Sequence, residues 1–265
     1  LLIVYDEKVK KDIYVLLKAK KDDKTKEKLE EMTSKMLEEN YIILSKMLGE
    51  PPLEINFEYR NKDNNVTSKK LTPQEFYHHY STLNLDDFIQ IGSLKMYNKE
   101  YYKKYRRKYE HNIYNEGIME FINLPLTEFK SLIISQLKDS IPVWFGAEVK
   151  KMRNQTKGIL DTNAYNYESV FNFKRLTQEE NLNLHAITLA HAMSFVGVHI
   201  IDDKPIRWKV ENSWGDQDNK GYFIMNDNYF NEFVMSAVIK KDYLNDKQLK
   251  LLDQEPIMLD PDDPF

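Results

Sequence analysis

Four apolar segments crowd residues 192–239, with so little chain between them that they must lie close together in one sheet. Residues 192–201 are mostly small and apolar, 206–210 alternate as Ile-Arg-Trp-Lys-Val, 221–225 read as a third strand and 233–239 as a fourth. A parallel crossover needs a dozen or more residues, whereas Asp202-Asp203-Lys204-Pro205 offers only a turn. The spacing therefore predicts an antiparallel sheet, with a short helix capped by Asp227 between the last two strands.

The rest of the chain has a different texture. Residues 4–49 hold good helix formers with neither proline nor glycine before Gly49. The charged break Lys21-Asp22-Asp23-Lys24 divides them into two helices. In the second, Leu29, Met32, Met36, Leu37, Tyr41, Leu44 and Leu48 recur at three- and four-residue steps and predict one apolar face. Gly49 and Pro51-Pro52 end it. Residues 53–60 read as a strand, Asn61 to Asn65 as a turn, and Thr72-Pro73-Gln74-Glu75 as a capping box with proline at the first helical position. Thr127 opens a further helix with Phe129, Leu132, Ile133 and Leu137 on one face, and residues 141–146 follow as a short buried strand.

Chemistry concentrates at His191 and Asn212. His191 heads the first strand of the hairpin and Asn212 ends the second, in Val210-Glu211-Asn212-Ser213-Trp214-Gly215, so an antiparallel turn returns both to one end of the sheet. An imidazole oriented by an amide oxygen is what a thiol nucleophile needs to stay a thiolate and later to protonate a leaving amine. Trp214 is expected to cover that pair and keep water off it. A lone histidine on an apolar strand is ordinarily a core residue, and Asn-Ser-Trp-Gly alone reads as a turn; the order and spacing together give the signal.

With these motifs the sequence resembles the papain-like cysteine peptidases, and among them the bleomycin hydrolase or aminopeptidase C family. Gly49-Glu50-Pro51-Pro52 and Phe57-Glu58-Tyr59-Arg60-Asn61-Lys62-Asp63 are similar to the segment after that family's helical hook. Leu71-Thr72-Pro73-Gln74-Glu75-Phe76-Tyr77, Val143-Trp144-Phe145-Gly146, Lys209 to Gly215 and Glu255-Pro256-Ile257 are further landmarks. The resemblance implies an α+β papain-like fold: a helical hook over 1–52, the His- and Asn-bearing β-rich part of the catalytic domain over 53–252, and a C-terminal arm over 253–265. It implies that His191 is the catalytic base and Asn212 its orienting partner. It also implies that the arm lies in the substrate cleft, where Phe265 would anchor the substrate's free amine.

The chain has no cysteine, which excludes a thiol nucleophile, a disulfide and a thiolate metal site within it. In that family the cysteine precedes the histidine. The chain also starts without methionine, so it is expected to be the C-terminal portion of a longer cytoplasmic thiol aminopeptidase acting on peptides and assembled as a hexamer. An upstream cysteine-bearing segment would complete the site. The alternative is a catalytically inactive scaffold used for assembly or peptide binding.

Other classes have weaker support. Net charge is −4 and no apolar run approaches a membrane span. The histidines His78, His79, His185 and His199 have no ligand spacing, so neither metal nor other cofactor is expected. Residues 95–109 interleave seven basic side chains with tyrosines; single-stranded nucleic acid is one reading, but a solvated helix face with lysine stems over tyrosines is favoured.

Overall fold

The computed structural model describes residues 2–22, 25–81, 83–110, 119–215 and 220–265, with the backbone alone at residues 2–4 and 155. It divides into two compact units, Leu1–Thr82 and Leu83–Phe265. In the first, helices α1 (Leu2–Lys21) and α2 (Lys26–Leu48) pack as a hairpin. They part at the expected charged break, of which Asp23 and Lys24 lie outside the described residues. Thr25 caps α2 and Gly49, at φ 89°, ends it. The apolar stripe of α2 is divided, a departure from the single face expected. Leu29, Met32, Met36 and Leu44 are half-buried, while Leu37, Tyr41 and Leu48 stay exposed. Strands β1 (Ile55–Arg60) and β2 (Val66–Leu71) form a separate antiparallel hairpin. Its Phe57 meets Phe76 and Tyr80 of α3 (Pro73–Tyr80) with centroids 4.9 and 4.7 Å away. The capping box at Thr72 and Glu75 is present.

The second unit is built on one sheet. Its strands are β3 (Phe88–Gly92), β4 (Lys103–Arg107), β5 (Glu120–Asn123), β6 (Val143–Ala147), β7 (Arg153–Asn154) and β8 (Ile159–Leu160), followed by β9 (His191–Ile201), β10 (Lys204–Glu211), β11 (Tyr222–Asn226), β12 (Val234–Lys240) and β13 (Ile257–Leu259). In space they run β13-β4-β5-β3-β12-β6-β9-β10-β11-β8-β7. Neighbours are antiparallel except β13 with β4, β3 with β5 and β11 with β8. The β9–β10 turn has positive φ at both Asp202 and Asp203, 47° and 59°, the hand that matches strand twist.

Three points sharpen or correct the expectations. First, the four segments join one sheet with antiparallel pairing as expected, but the fourth, β12, pairs with β6 and β3 and not with β11. The helix Asp227–Phe233 carries the chain over one face, burying Tyr229, Phe230 and Phe233. Second, Asn226 and not Asp227 occupies that helix's N-cap. The Asp227 carboxylate instead accepts from the indole Nε1 of buried Trp208 (3.1 Å) and from Lys130 (2.6 Å), since a buried indole N–H left alone would cost more than a cap contributes. Third, residues 95–109 are not a helix. Part of the stretch is strand β4, whose Tyr105 is buried against Phe121, with Lys104 and Arg106 ion-paired to Glu120 on the neighbouring β5. Pairing with β5 and β13 overrode the local helical propensity. The helix opened by Thr127 in the sequence begins a residue earlier, as α4 (Leu126–Lys138), with Phe129, Leu132 and Ile133 buried.

An aromatic stack fills the space between α4, the helix Asp227–Phe233 and the sheet. Phe195 of β9 lies on Phe145 of β6 at 3.7 Å between centroids and close to parallel, 9°. Trp208 is 5.1 Å from Phe195 and 4.5 Å from Phe230, and Phe230 meets Phe129. Phe195→Ala is expected to destabilise the second unit by about 3–5 kcal/mol, read as a lower urea midpoint at unchanged slope. An outer-face change such as His199→Ala should move the midpoint little.

Candidate active site

Both site residues stand where a buried alternation runs out. Along β9, Met193 and Phe195 point into the core, and His191 is the next residue on that face. Along β10, Trp208 and Val210 point into the core, and Asn212 follows on the same face just past the strand. Antiparallel pairing of Val210 with Phe195 brings the two ends together. The His191 Nε2 and Asn212 Oδ1 atoms are 2.8 Å apart.

The amide orientation is fixed by a second bond. Asn212 Oδ1 also accepts from the backbone N–H of Ser213 at 2.9 Å, and an N–H can only donate, so the atom facing the imidazole is the oxygen. Nε2 therefore carries the ring proton, and Nδ1 is the nitrogen that can take one. The Trp214 ring lies 4.8 Å from the imidazole and is tilted by 32°. Phe223 of β11 meets the indole edge-on at 5.9 Å, and the Arg153 guanidinium sits over it at 4.9 Å. A half-buried imidazole hydrogen-bonded at Nε2 and walled by an indole is held in one tautomer and one orientation, which suits a proton acceptor and donor.

Sequence reasoning missed the residues that hold this loop. Gly221, at φ 87°, accepts from the Asn212 backbone N–H at 2.9 Å. A Cβ there would stand 3.0 Å from the Gly215 carbonyl oxygen, so the position needs glycine both for its φ and for its space. Gly146 lets Leu189, two residues before His191, lie against β6, because a Cβ would meet the Leu189 Cδ2 at 2.6 Å. Arg153 had no signal beyond being basic.

The segment from residue 253 to 265 joins the sheet through one short strand. β13 pairs in parallel with β4. Asp263 is buried and its carboxylate meets the Lys99 ammonium, also buried, at 2.6 Å. Burial pulls the Lys99 ammonium below its ordinary pKa and the Asp263 carboxylate opposes that. Phe265 packs on Phe121 at 4.1 Å. It lines a cavity of about 410 Å³ whose other walls include Thr188 and Leu189, the segment that leads into His191. Among the described residues no cluster of three His, Asp or Glu side chains could hold a metal ion, and no helix is long and apolar enough to cross a membrane.

The profile of the Peptidase C1-like family matches residues 1–265. The chain belongs to that family. It is 37% identical over 263 residues to an aminopeptidase C of Listeria innocua, covering 98% of this chain and 59% of the relative. It is 36% identical to an aminopeptidase G of Lactobacillus delbrueckii, over 89% of this chain and 54% of the relative. The crystal structure of PepW from Lactobacillus rhamnosis HN001 superposes with a TM-score of 0.93 at 37% identity, covering 98% of this chain and 60% of that one. The α+β papain-like fold expected from the sequence is thus the fold of this Peptidase C1-like chain. The chain spans less than two thirds of the length of these relatives.

Three substitutions test the site without any turnover. In Asn212→Ala the slowly exchanging imidazole Nε2–H proton of His191 should disappear from the NMR spectrum, whereas Ser213→Ala should keep it. Gly221→Ala should cost about 1–2 kcal/mol from its left-handed backbone alone and should speed amide exchange at Asn212.

Proposed function

We propose that the chain is the histidine- and asparagine-bearing part of a cysteine-type aminopeptidase whose thiol comes from a segment outside these 265 residues. The 2.8 Å bond from His191 Nε2 to Asn212 Oδ1 carries this reading. With Nε2 tied to an amide oxygen, Nδ1 is the nitrogen left to take the thiol proton, giving a thiolate–imidazolium pair. The thiolate attacks the scissile carbonyl carbon. The imidazolium then gives its Nδ1 proton to the departing amine, and water hydrolyses the resulting thioester with the imidazole as base. The charge on the ring is balanced by the thiolate, so a neutral amide suffices as orienter. Trp214 keeps the polar pair partly out of water, where its bond is stronger.

The aminopeptidase character draws support from the named relatives and from the arm. Removing residues one at a time from a free N-terminus requires a stop at one end of the cleft. The arm ending at Phe265 is fixed beside the segment leading to His191, a position suited to meeting the substrate amine.

The isolated chain should give no thiol-dependent hydrolysis of aminoacyl-aminocoumarins, and a longer protein that includes a cysteine-bearing upstream segment should. In the longer protein His191→Ala should lower kcat by about 10²–10⁴-fold. Thiol-dependent turnover by the 265-residue chain alone would sink the assignment.

A further inference from the structure

Beside Arg153 of β7, at the end of the sheet order opposite β13, lies a second cavity of about 540 Å³ that the peptidase chemistry does not use. Its floor is the segment 150–153, which leaves β6 just after Ala147 pairs with His191. Lys150, Lys151, Arg153 and Arg175 line it, against a single lining carboxylate, Glu232. Glu232 stands 3.7 Å from Arg175, which also reaches Glu168 at 3.7 Å, and burial pushes the Glu232 carboxyl up. Lys151 Nζ donates to the uncharged amide oxygen of Asn181 at 3.2 Å, so its charge is not cancelled there. One wall is aromatic, with Tyr165 and Tyr167 stacked at 5.7 Å. Arg153 joins cavity and active site, since it lies over the ring of Trp214.

We infer that this cavity is a specificity subsite that receives a carboxylate on the leaving fragment of the peptide. The inference rests on the aminopeptidase reading: with the substrate amine beside the arm, the leaving fragment runs past Trp214 towards residues 150–153. The clustered ammonium groups of Lys150 and Lys151 favour an anion, and flat tyrosine rings favour a peptide plane. The carboxylate can be an acidic side chain or the C-terminus of a short peptide, which have the same chemistry and are separable by probe.

Calorimetric titration of the 265-residue chain with three tripeptides decides between them. The probes are trialanine amide, trialanine with a free C-terminus, and the amide of alanyl-glutamyl-alanine. At least one carboxylate-bearing probe should bind about tenfold more tightly than the neutral amide, and which one does identifies the source. The double variant Lys150→Gln, Lys151→Gln should bring that ratio towards one, while Lys→Arg at both positions keeps it. Equal affinity for all three probes would overturn the inference. In the longer cysteine-bearing protein the same ratio should appear in kcat/KM. Hydrolysis of all three at equal rates, with no binding preference, removes the subsite and leaves the aminopeptidase standing. No hydrolysis removes the aminopeptidase reading, and the calorimetric ratio still decides the cavity.

Discussion

The register of β9 against β10 is the constraint on which the rest of the unit depends. Side chains alternate faces along a strand, so a slip of one residue would turn every core group outward. Counting back from half-buried Val198 by twos reaches Ala192 and leaves His191 on the outer face. The pairing avoids this with an irregularity. Lys209 faces Gly197 while the next residue, Val210, faces Phe195, so β9 carries one extra residue at Val196. The bulge resets the alternation, placing Phe195, Met193 and His191 on the inner face. Phe195 then meets Phe145, Trp208 and Phe230, and that stack seats the helix Asp227–Phe233 on the sheet. The His191–Asn212 pair is therefore the continuation of a hydrophobic core past its last buried residue, held by the same packing.

This explains which features could be read from the sequence. The hairpin, the capping box at Thr72, the break between α1 and α2 and the His–Asn pair all follow from local rules: alternation, turn composition, cap chemistry and spacing. The destination of β12 did not, because a seven-residue helix between two strands is compatible with return to the adjacent edge or with a crossover. Burial of Tyr229, Phe230 and Phe233 holds that helix on the face it crosses. The stretch 95–109 shows the opposite case. Its lysines, arginines and tyrosines suit a helix surface as well as a strand, and β4 exists because β5 and β13 flank it. Gly221 and Gly146 were invisible for a different reason. Their importance lies in a carbonyl oxygen and a leucine methyl brought close by residues distant in sequence.

The arm illustrates how a costly interaction can set geometry. Burying the Lys99 ammonium against the Asp263 carboxylate removes both from water, and such pairs contribute little net stability compared with apolar groups of the same size. Removing one partner, however, strands the other charge in the interior, so few alternative positions of the arm are tolerated. Arg107 reinforces this by donating to the Asp263 carbonyl oxygen at 3.1 Å, and the Asp263 carboxylate itself accepts from the Phe265 backbone N–H at 3.1 Å. The arm is thereby tied by side-chain charge, by main-chain hydrogen bonds and by the β13–β4 ladder. A segment that only covered an apolar edge would need none of these polar ties. Their convergence on Asp263 and Phe265 fixes this segment against β4, the strand that carries Arg107.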